Sequence, residues 1–292
     1  MKILSLFDWI ASWYEALQRA WIPIEKYYAS EIDKYAIQVA TKNHPDIVEV
    51  WDVKMLRGGE YLGIDLLIGG SPCQWFSVAW KQLAFDDPRS RLFFEFVRLL
   101  NECKPKYFLL ENVSMRKEWI NIISEYLWVQ PIEINSNLLS AQSRKRLYRT
   151  NIPDVKLPEN KWIVLKDILQ KNVDQKYYLN EQQIEKIKYL KGKKEIERVK
   201  NWFTYIYREW GIPYPDIIER PSRTILTSEG SISRTTHVVY DNWIRKLTPV
   251  ECERLQTLPD NYTALVSDAQ RYKQLGNWWT VDVIAHIFSF IN

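Results

Sequence analysis

Asp65-Leu66-Leu67-Ile68-Gly69-Gly70-Ser71-Pro72-Cys73-Gln74-Trp75-Phe76-Ser77 is the stretch on which the reading of this 292-residue chain turns. The apolar run Leu66 to Ile68 has strand length and meets Gly-Gly and then Ser-Pro-Cys, so it reads as a buried strand ending in a sharp loop. Open α/β sheets place their sites at such carboxyl ends. Cys73 therefore stands where a nucleophile would be presented, with Pro72 fixing the backbone before it. A lone cysteine is more often a small buried hydrophobe, so the rest of the chain has to supply a context.

On either side of that strand, short apolar runs alternate with helical spacing. Lys2 to Phe7 reads as a strand, Asp8 to Trp13 as a turn, and Tyr14 to Ala20 as a helix. Ile24 to Ser30 is a second strand ending at Glu31, Asp33 to Asn43 a helix, and Val48 to Val50 a third strand leading to Trp51-Asp52-Val53. Beyond the opening stretch, Ser90 to Asn101 is an apolar helix, Tyr107 to Leu110 a strand running into Glu111-Asn112-Val113, Trp119 to Tyr126 a helix, and Ile132 to Asn137 a strand. Strands alternating with helices predict a doubly wound α/β fold, a mainly parallel sheet covered on both faces. Acids at successive strand ends suit a nucleoside cofactor, because such folds hold ribose hydroxyls with an Asp or Glu after the second strand. Glu31 occupies that place and Asp52 the end of the next strand.

Composition narrows the class. The chain is 46% hydrophobic and 26% charged, which fits a soluble globular protein, and neither a signal peptide nor a membrane-length apolar run is read from it. Three scattered cysteines and three histidines form neither a disulfide framework nor a metal site. The expectation is therefore no metal, no membrane and a reducing cytoplasm. The net charge of +4 leans mildly toward polyanions. Average glycine use of about 7% would give roughly 20 glycines; the chain has 9, beside 14 tryptophans.

Read together, the blocks resemble the DNA cytosine-5 methyltransferases. Gly-Gly-Ser-Pro-Cys-Gln followed by Phe-Ser is similar to that family's catalytic loop. Phe7-Asp8-x-Ile10-Ala11-Ser12 resembles its first motif, Ser30-Glu31-Ile32-Asp33 its second and Trp51-Asp52-Val53 its third. Glu111-Asn112-Val113 and Gln142-Ser143-Arg144-Lys145-Arg146 resemble its Glu-Asn-Val and Gln-x-Arg-x-Arg motifs. Arg245-Lys246-Leu247-Thr248-Pro249-x-Glu251 resembles its ninth, and Gln274-Leu275-Gly276-Asn277 its last. The motif style leans toward the animal de novo enzymes and their phage and bacterial relatives. The resemblance implies the class I S-adenosylmethionine-dependent methyltransferase fold. It also implies S-adenosyl-L-methionine as cofactor and double-stranded DNA as partner in a prokaryotic or phage-infected cell, and a monomer is compatible with it. It assigns Cys73 as the nucleophile on C6 of a flipped-out cytosine, Glu111 as the group at N3 and N4, and Arg144 and Arg146 as donors to O2 and phosphate. Cofactor contacts fall to Phe7, Asp8, Ile10, Glu31, Ile32, Asp52, Val53, Pro72, Leu92 and Asn277, and DNA contacts to Gln74 and Ser77.

The domains expected are a catalytic and cofactor-binding domain over 1–150, a small inserted target-recognition domain over 151–244, and a segment 245–292 returning to the first. The middle interval lacks the strand-helix rhythm. Its lysine run reads as a solvated helix face, while Arg208, Arg223 and Arg234 could reach phosphates and base edges. The rival substrate is tRNA, and the rival class a DNA-binding protein with a blocked pocket. Blockage is raised by tryptophan at family glycine or small positions: Trp9, Trp13, Trp51, Trp75, Trp80 and Trp278. Indole at Trp9 and Trp13 is expected to crowd the methionine end of the cofactor.

Overall fold

The structure is a computed structural model that describes residues 1–70, 91–190, 197–198, 204–205, 207–209, 212–232, 236–240 and 243–291. Pro72, Cys73, Gln74, Trp75, Ser77, Trp80 and Arg234 lie outside the described residues. In chain order the elements are β1 (Lys2–Leu6), α1 (Ser12–Arg19), β2 (Lys26–Ser30), α2 (Lys34–Asn43), β3 (Ile47–Glu49), β4 (Leu66–Gly70), α3 (Arg91–Cys103), β5 (Tyr107–Val113), α4 (Lys117–Leu127), β6 (Ile132–Asn135) and β7 (Lys145–Thr150). There follow α5 (Glu181–Leu190), the short strands β8 (Glu197–Arg198), β9 (Thr204–Tyr205), β10 (Tyr207–Glu209), β11 (Ile212–Tyr214), β12 (His237–Tyr240) and β13 (Trp243–Lys246), then α6 (Pro249–Leu255), α7 (Asp268–Asn277) and α8 (Val281–Phe288). The chain divides into two compact units: 1–135 with 145–158 and 281–292, and 136–144 with 159–280. The division expected from sequence grouped all of 245–292 with the first domain, whereas here only 281–292 joins it.

The first unit is built on a seven-stranded sheet in the order β3-β2-β1-β4-β5-β7-β6. β1, β2, β3, β4 and β5 pair in parallel, and β7 runs antiparallel to both β5 and β6. Parallel strands covered on both faces must be apolar along their whole length. Accordingly Leu66, Leu67 and Ile68 are fully buried, as are Leu109 and Leu110. Leu4, Leu6, Leu67, Phe108 and Leu110 form one core with Phe93, Phe96 and Leu99 of α3 and Ile123 and Leu127 of α4. Ile3, Ile68 and Leu109 point the other way by strand alternation and are equally buried. α1 packs on α8, with Trp13 and Phe288 rings 6.4 Å apart. The sheet is thus wound outward from β1 in both directions, and the strand order reverses between β1 and β4, where such folds place their ligands.

β7 was not expected from sequence. Its residues Lys145 to Thr150 are mostly polar, yet Arg149 is fully buried. Its guanidinium donates to Asn112 Oδ1 at 3.1 Å, Ile120 O at 3.0 Å and Ser124 Oγ at 3.3 Å. These bonds satisfy the charge that hydropathy counts against a core strand.

The second unit is held by polar pairs in place of a broad sheet. Thr248 caps α6: its Oγ1 accepts from Glu251 N at 3.1 Å, while Glu251 accepts from Thr248 N at 2.8 Å. This reciprocal cap, with Pro249 at the first helical position, is written in the sequence Thr-Pro-x-Glu. Glu251 also takes a bidentate pair from fully buried Arg245, at 2.7 and 2.8 Å. Glu253 likewise accepts from Arg271 at 2.9 Å and from the backbone N–H groups of Asn261 and Thr263. Gly276 is obligatory, since a Cβ there would lie 2.1 Å from Leu226 C and 2.2 Å from Thr227 N.

Candidate active site

The turn after β1 is an unusual backbone. Phe7, Trp9 and Ala11 alternate in the left-handed region with φ of 57°, 56° and 58°. Asp8 N–H donates to Ser30 O, and Ala11 N–H to Asp8 O, both at 3.1 Å, so the turn is tied to the end of β2. This winding aims Trp9 N–H at Glu31 Oε2, 2.9 Å away. Glu31 Oε1 accepts from Ile32 N and Asp33 N at 2.7 and 2.8 Å. Asp33 then caps α2 through Tyr35 N at 2.9 Å. The acid that sequence placed after the second strand is therefore fixed by three backbone donors.

Three carboxyls meet at the carboxyl ends of β1, β2 and β3. Asp8 is fully buried, and burial pushes its carboxyl from 3.8 up to about 7, against the hydroxyl that Tyr27 donates to Oδ1. Burial also raises Glu31, opposed by its three backbone bonds. Glu49, at the end of β3, is pushed up to about 7, first by burial and then by the negative charges of Asp8 and Glu31. Asp8 Oδ2 and both oxygens of Glu49 are buried without a hydrogen-bond partner among the described residues. Sequence reasoning missed Glu49. Its signal was an acid between Val48 and Val50 in a run otherwise read as strand.

The other expected cofactor residues scatter in exposure. Ile10 is fully buried and Val53 nearly so, Phe7 and Leu92 are half-buried, and Ile32 is 71% exposed. Asp52 caps a single helical turn over Val53–Met55 through Lys54 N at 3.0 Å. Trp51 before it has φ 59°, and its carbonyl accepts from Ser30 Oγ at 2.6 Å. Asn277 is the exposed last residue of α7 in the second unit. Trp13 is fully buried within α1, so its indole is part of the helix packing and not of the turn.

On β5, Glu111 is buried and pairs with Arg146 of β7, whose Nε lies 3.0 Å from Oε1. Register makes this possible, since Val113 faces Arg146 and Glu111 faces Tyr148. Cys73 follows the last residue of β4 by three positions. Arg144 belongs to the second unit. There it is buried and donates to Ile225 O at 3.1 Å and Gly276 O at 3.0 Å. Gln142 also serves that unit, accepting from Ile225 N at 2.9 Å. Arg223 pairs with Asp216, its Nε 3.0 and 3.1 Å from the two oxygens, and Arg208 lies in β10 opposite Pro213.

Among the described residues no group of three His, Cys, Asp or Glu could hold a metal ion, and no helix is long and apolar enough to cross a membrane.

A family model described as C-5 cytosine-specific DNA methylase matches residues 1–119 and 134–292. Among similar proteins, the type II methyltransferase M.NlaX of Neisseria lactamica is 30% identical over 98% of this chain and 94% of its own. M.HpaII of Haemophilus parainfluenzae is 32% identical over 88% and 80%. The crystal structure of S. pombe Dnmt2 methyltransferase shares the fold with a TM-score of 0.76 at 18% identity, covering 99% of this chain and 97% of that one.

Proposed function

The chain belongs to the C-5 cytosine-specific DNA methylase family, and from that premise we propose that it methylates C5 of a flipped-out cytosine in double-stranded DNA through Cys73, with S-adenosyl-L-methionine as donor. The supporting observation is the set of carboxyls at the ends of β1, β2 and β3, beside the point where the sheet reverses. Acceptor oxygens buried without partners, on Asp8 and Glu49, suit the hydroxyl and ammonium donors of that cofactor, so the residues present fit it. Glu31 would hold the ribose, and Asp8 with the turn over residues 7–11 the amino-acid end. When bound, the cofactor supplies an electrophilic methyl group.

Cytosine C5 is a poor nucleophile. Attack by the Cys73 thiolate at C6 makes C5 enamine-like and splits a hard step into easier ones. After C5 gains the methyl, loss of the C5 proton and expulsion of the thiolate restore the ring. Glu111 serves the N3 and N4 edge of the base, with Arg146 holding its carboxylate in place. The base must leave the duplex to be reached. Residues 151–244 set the choice of DNA sequence.

The test is transfer of labelled methyl from the cofactor to duplex DNA and, in parallel, to tRNA. Transfer to DNA is expected, as is a denaturation-resistant adduct on DNA carrying 5-fluorocytosine that is lost in Cys73→Ser. Labelling of tRNA alone would establish the rival substrate. DNA binding without cofactor binding would establish the blocked binder.

A further inference from the structure

Five tryptophans stand where the backbone asks for glycine. Trp9, Trp21, Trp51, Trp128 and Trp162 all have φ between 56° and 59°, a region that crowds the Cβ and that bulky residues avoid. They are five of the eleven non-glycine residues found there among the described residues, whereas only one described glycine, Gly63, uses positive φ. Two of the five end helices. After α1, Trp21 N–H donates to Gln18 O and Ile22 N–H to Leu17 O, each at 3.0 Å. These are the two bonds of the helix-ending turn whose left-handed residue is usually glycine. Trp128 follows α4 with φ 57° and ψ 24°.

Packing does not select indole at four of these turns either. Trp21, Trp128, Trp162 and Trp51 are 93%, 91%, 79% and 61% exposed, although tryptophan contributes to a fold mainly through the large area it buries. Trp279 is the contrast within the same chain, 3% exposed and packed at a tilt against Trp278 with ring centroids 3.7 Å apart. The residues that tolerate left-handed backbone are Asn, Asp and His, so substitutions filtered by the fold would not converge on the bulkiest side chain. The shortage of glycine, 9 where about 7% usage gives roughly 20, sits beside 14 tryptophans.

We infer that the working form of this protein carries glycine at these five positions, and that tryptophan stands there through one codon with two meanings. UGA specifies tryptophan in some genetic codes and glycine in others. A single reading difference puts one residue type at many turns at once, regardless of geometry.

The gene, and the protein made by the cell that carries it, are sequenced at the five positions. UGA at all five and glycine in the native peptides are expected. UGG codons, or tryptophan in those peptides, overturn the inference. A second measurement tests the strain itself by comparing thermal unfolding of the full chain with all five tryptophans, with all five changed to glycine, and with all five changed to alanine. The glycine chain should unfold on the order of 10 °C higher than the tryptophan chain. The alanine chain should recover only part of that shift, because its Cβ remains. Equal midpoints for the three chains would remove the backbone basis of the inference.

Discussion

Acids are buried in both compact units, and the paired acids around α6 and the unpaired ones at the strand ends of the first unit are buried on opposite terms. In the second unit Glu251 and Glu253 each carry an arginine, Arg245 and Arg271, plus backbone donors. In the first unit Asp8 and Glu49 have no cationic partner among the described residues, and each is pushed up to about 7. Burying a charge is costly unless it is paired or gives up its charge. Glu251 and Glu253 take the former course, as does Glu111 of the first unit with Arg146. Asp8 and Glu49 take the latter, and so does Glu229 of the second unit, which accepts from the backbone N–H groups of Leu226 and Thr236 and is pushed up to about 7 by burial. Paired acids are architecture, fixed by the chain itself. Acids buried without a partner at strand ends are held ready for donors the chain does not provide, which is why perturbed carboxyls mark sites.

The strongest way to break this contrast is to remove one partner in the second unit. Glu251→Ala removes the carboxylate that buried Arg245 donates to and uncaps α6. It should cost about 3–5 kcal/mol, read as a lowered unfolding midpoint by calorimetry. A loss below about 1 kcal/mol would mean that the pair is not structural.

Asp8 answers to pH instead. The unfolded chain releases the Asp8 proton near its ordinary 3.8, while the folded chain keeps it to about 7. Stability from that proton is complete below pH 3.8 and is lost as pH rises through about 7. The ceiling is about 4 kcal/mol at about 1.4 per pH unit of separation. Glu49 shifts in the same direction, as does Glu229 in the second unit. Denaturant midpoints measured from pH 4 to pH 8 should fall, and Asp8→Asn should remove a clear part of the fall. A decline unchanged in Asp8→Asn would place its origin elsewhere.

Ligand affinity sharpens the contrast further. Glu31→Gln keeps an acceptor but loses the charge. It should weaken S-adenosyl-L-methionine binding about tenfold, near 1.4 kcal/mol, with little change in stability. The same titration with Trp9→Gly should show tighter binding, because the left-handed turn at that position relaxes. The smallest effect is expected from Arg223→Ala. Its pairing with Asp216 makes it a brace, so the loss should be about 1 kcal/mol of stability with the methylated DNA sequence unchanged. A change of target sequence would return Arg223 to the role read for it from sequence.

Much of the first unit was legible because its strands are continuous apolar runs and its helices fill the intervals between them. Glu31 was legible because a fold of this kind needs an acid after its second strand. What escaped had physical reasons. β7 reads as polar because Arg149 satisfies its charge through Asn112, Ser124 and Ile120, partners far away in sequence. Glu49 escaped because a single acid in a short strand looks solvated until its neighbours are known. Arg144 was read as a donor to substrate, and its bonds to Ile225 and Gly276 are invisible without the fold. Trp13 was read with Trp9 as one obstruction, yet one indole is core and the other sits on the turn. The reciprocal cap of Thr248 and Glu251 was fully written in the sequence but was absorbed into a motif.

The place of α8 has a consequence for how the chain is made. This helix covers α1, yet residues 159–280, most of the second unit, precede it in the sequence. A ribosome working from the amino terminus therefore releases the whole sheet long before the helix that completes its covering. During that interval Trp13, Ala16 and Leu17, fully buried in the finished fold, lack the cover of α8, and Trp13 lacks the ring of Phe288. Domains generally fold as units during synthesis, and exposed apolar surface in unfinished ones invites aggregation. The first unit can begin early but must finish last, so the nascent chain needs shelter along the face of α1 until the second unit has been translated.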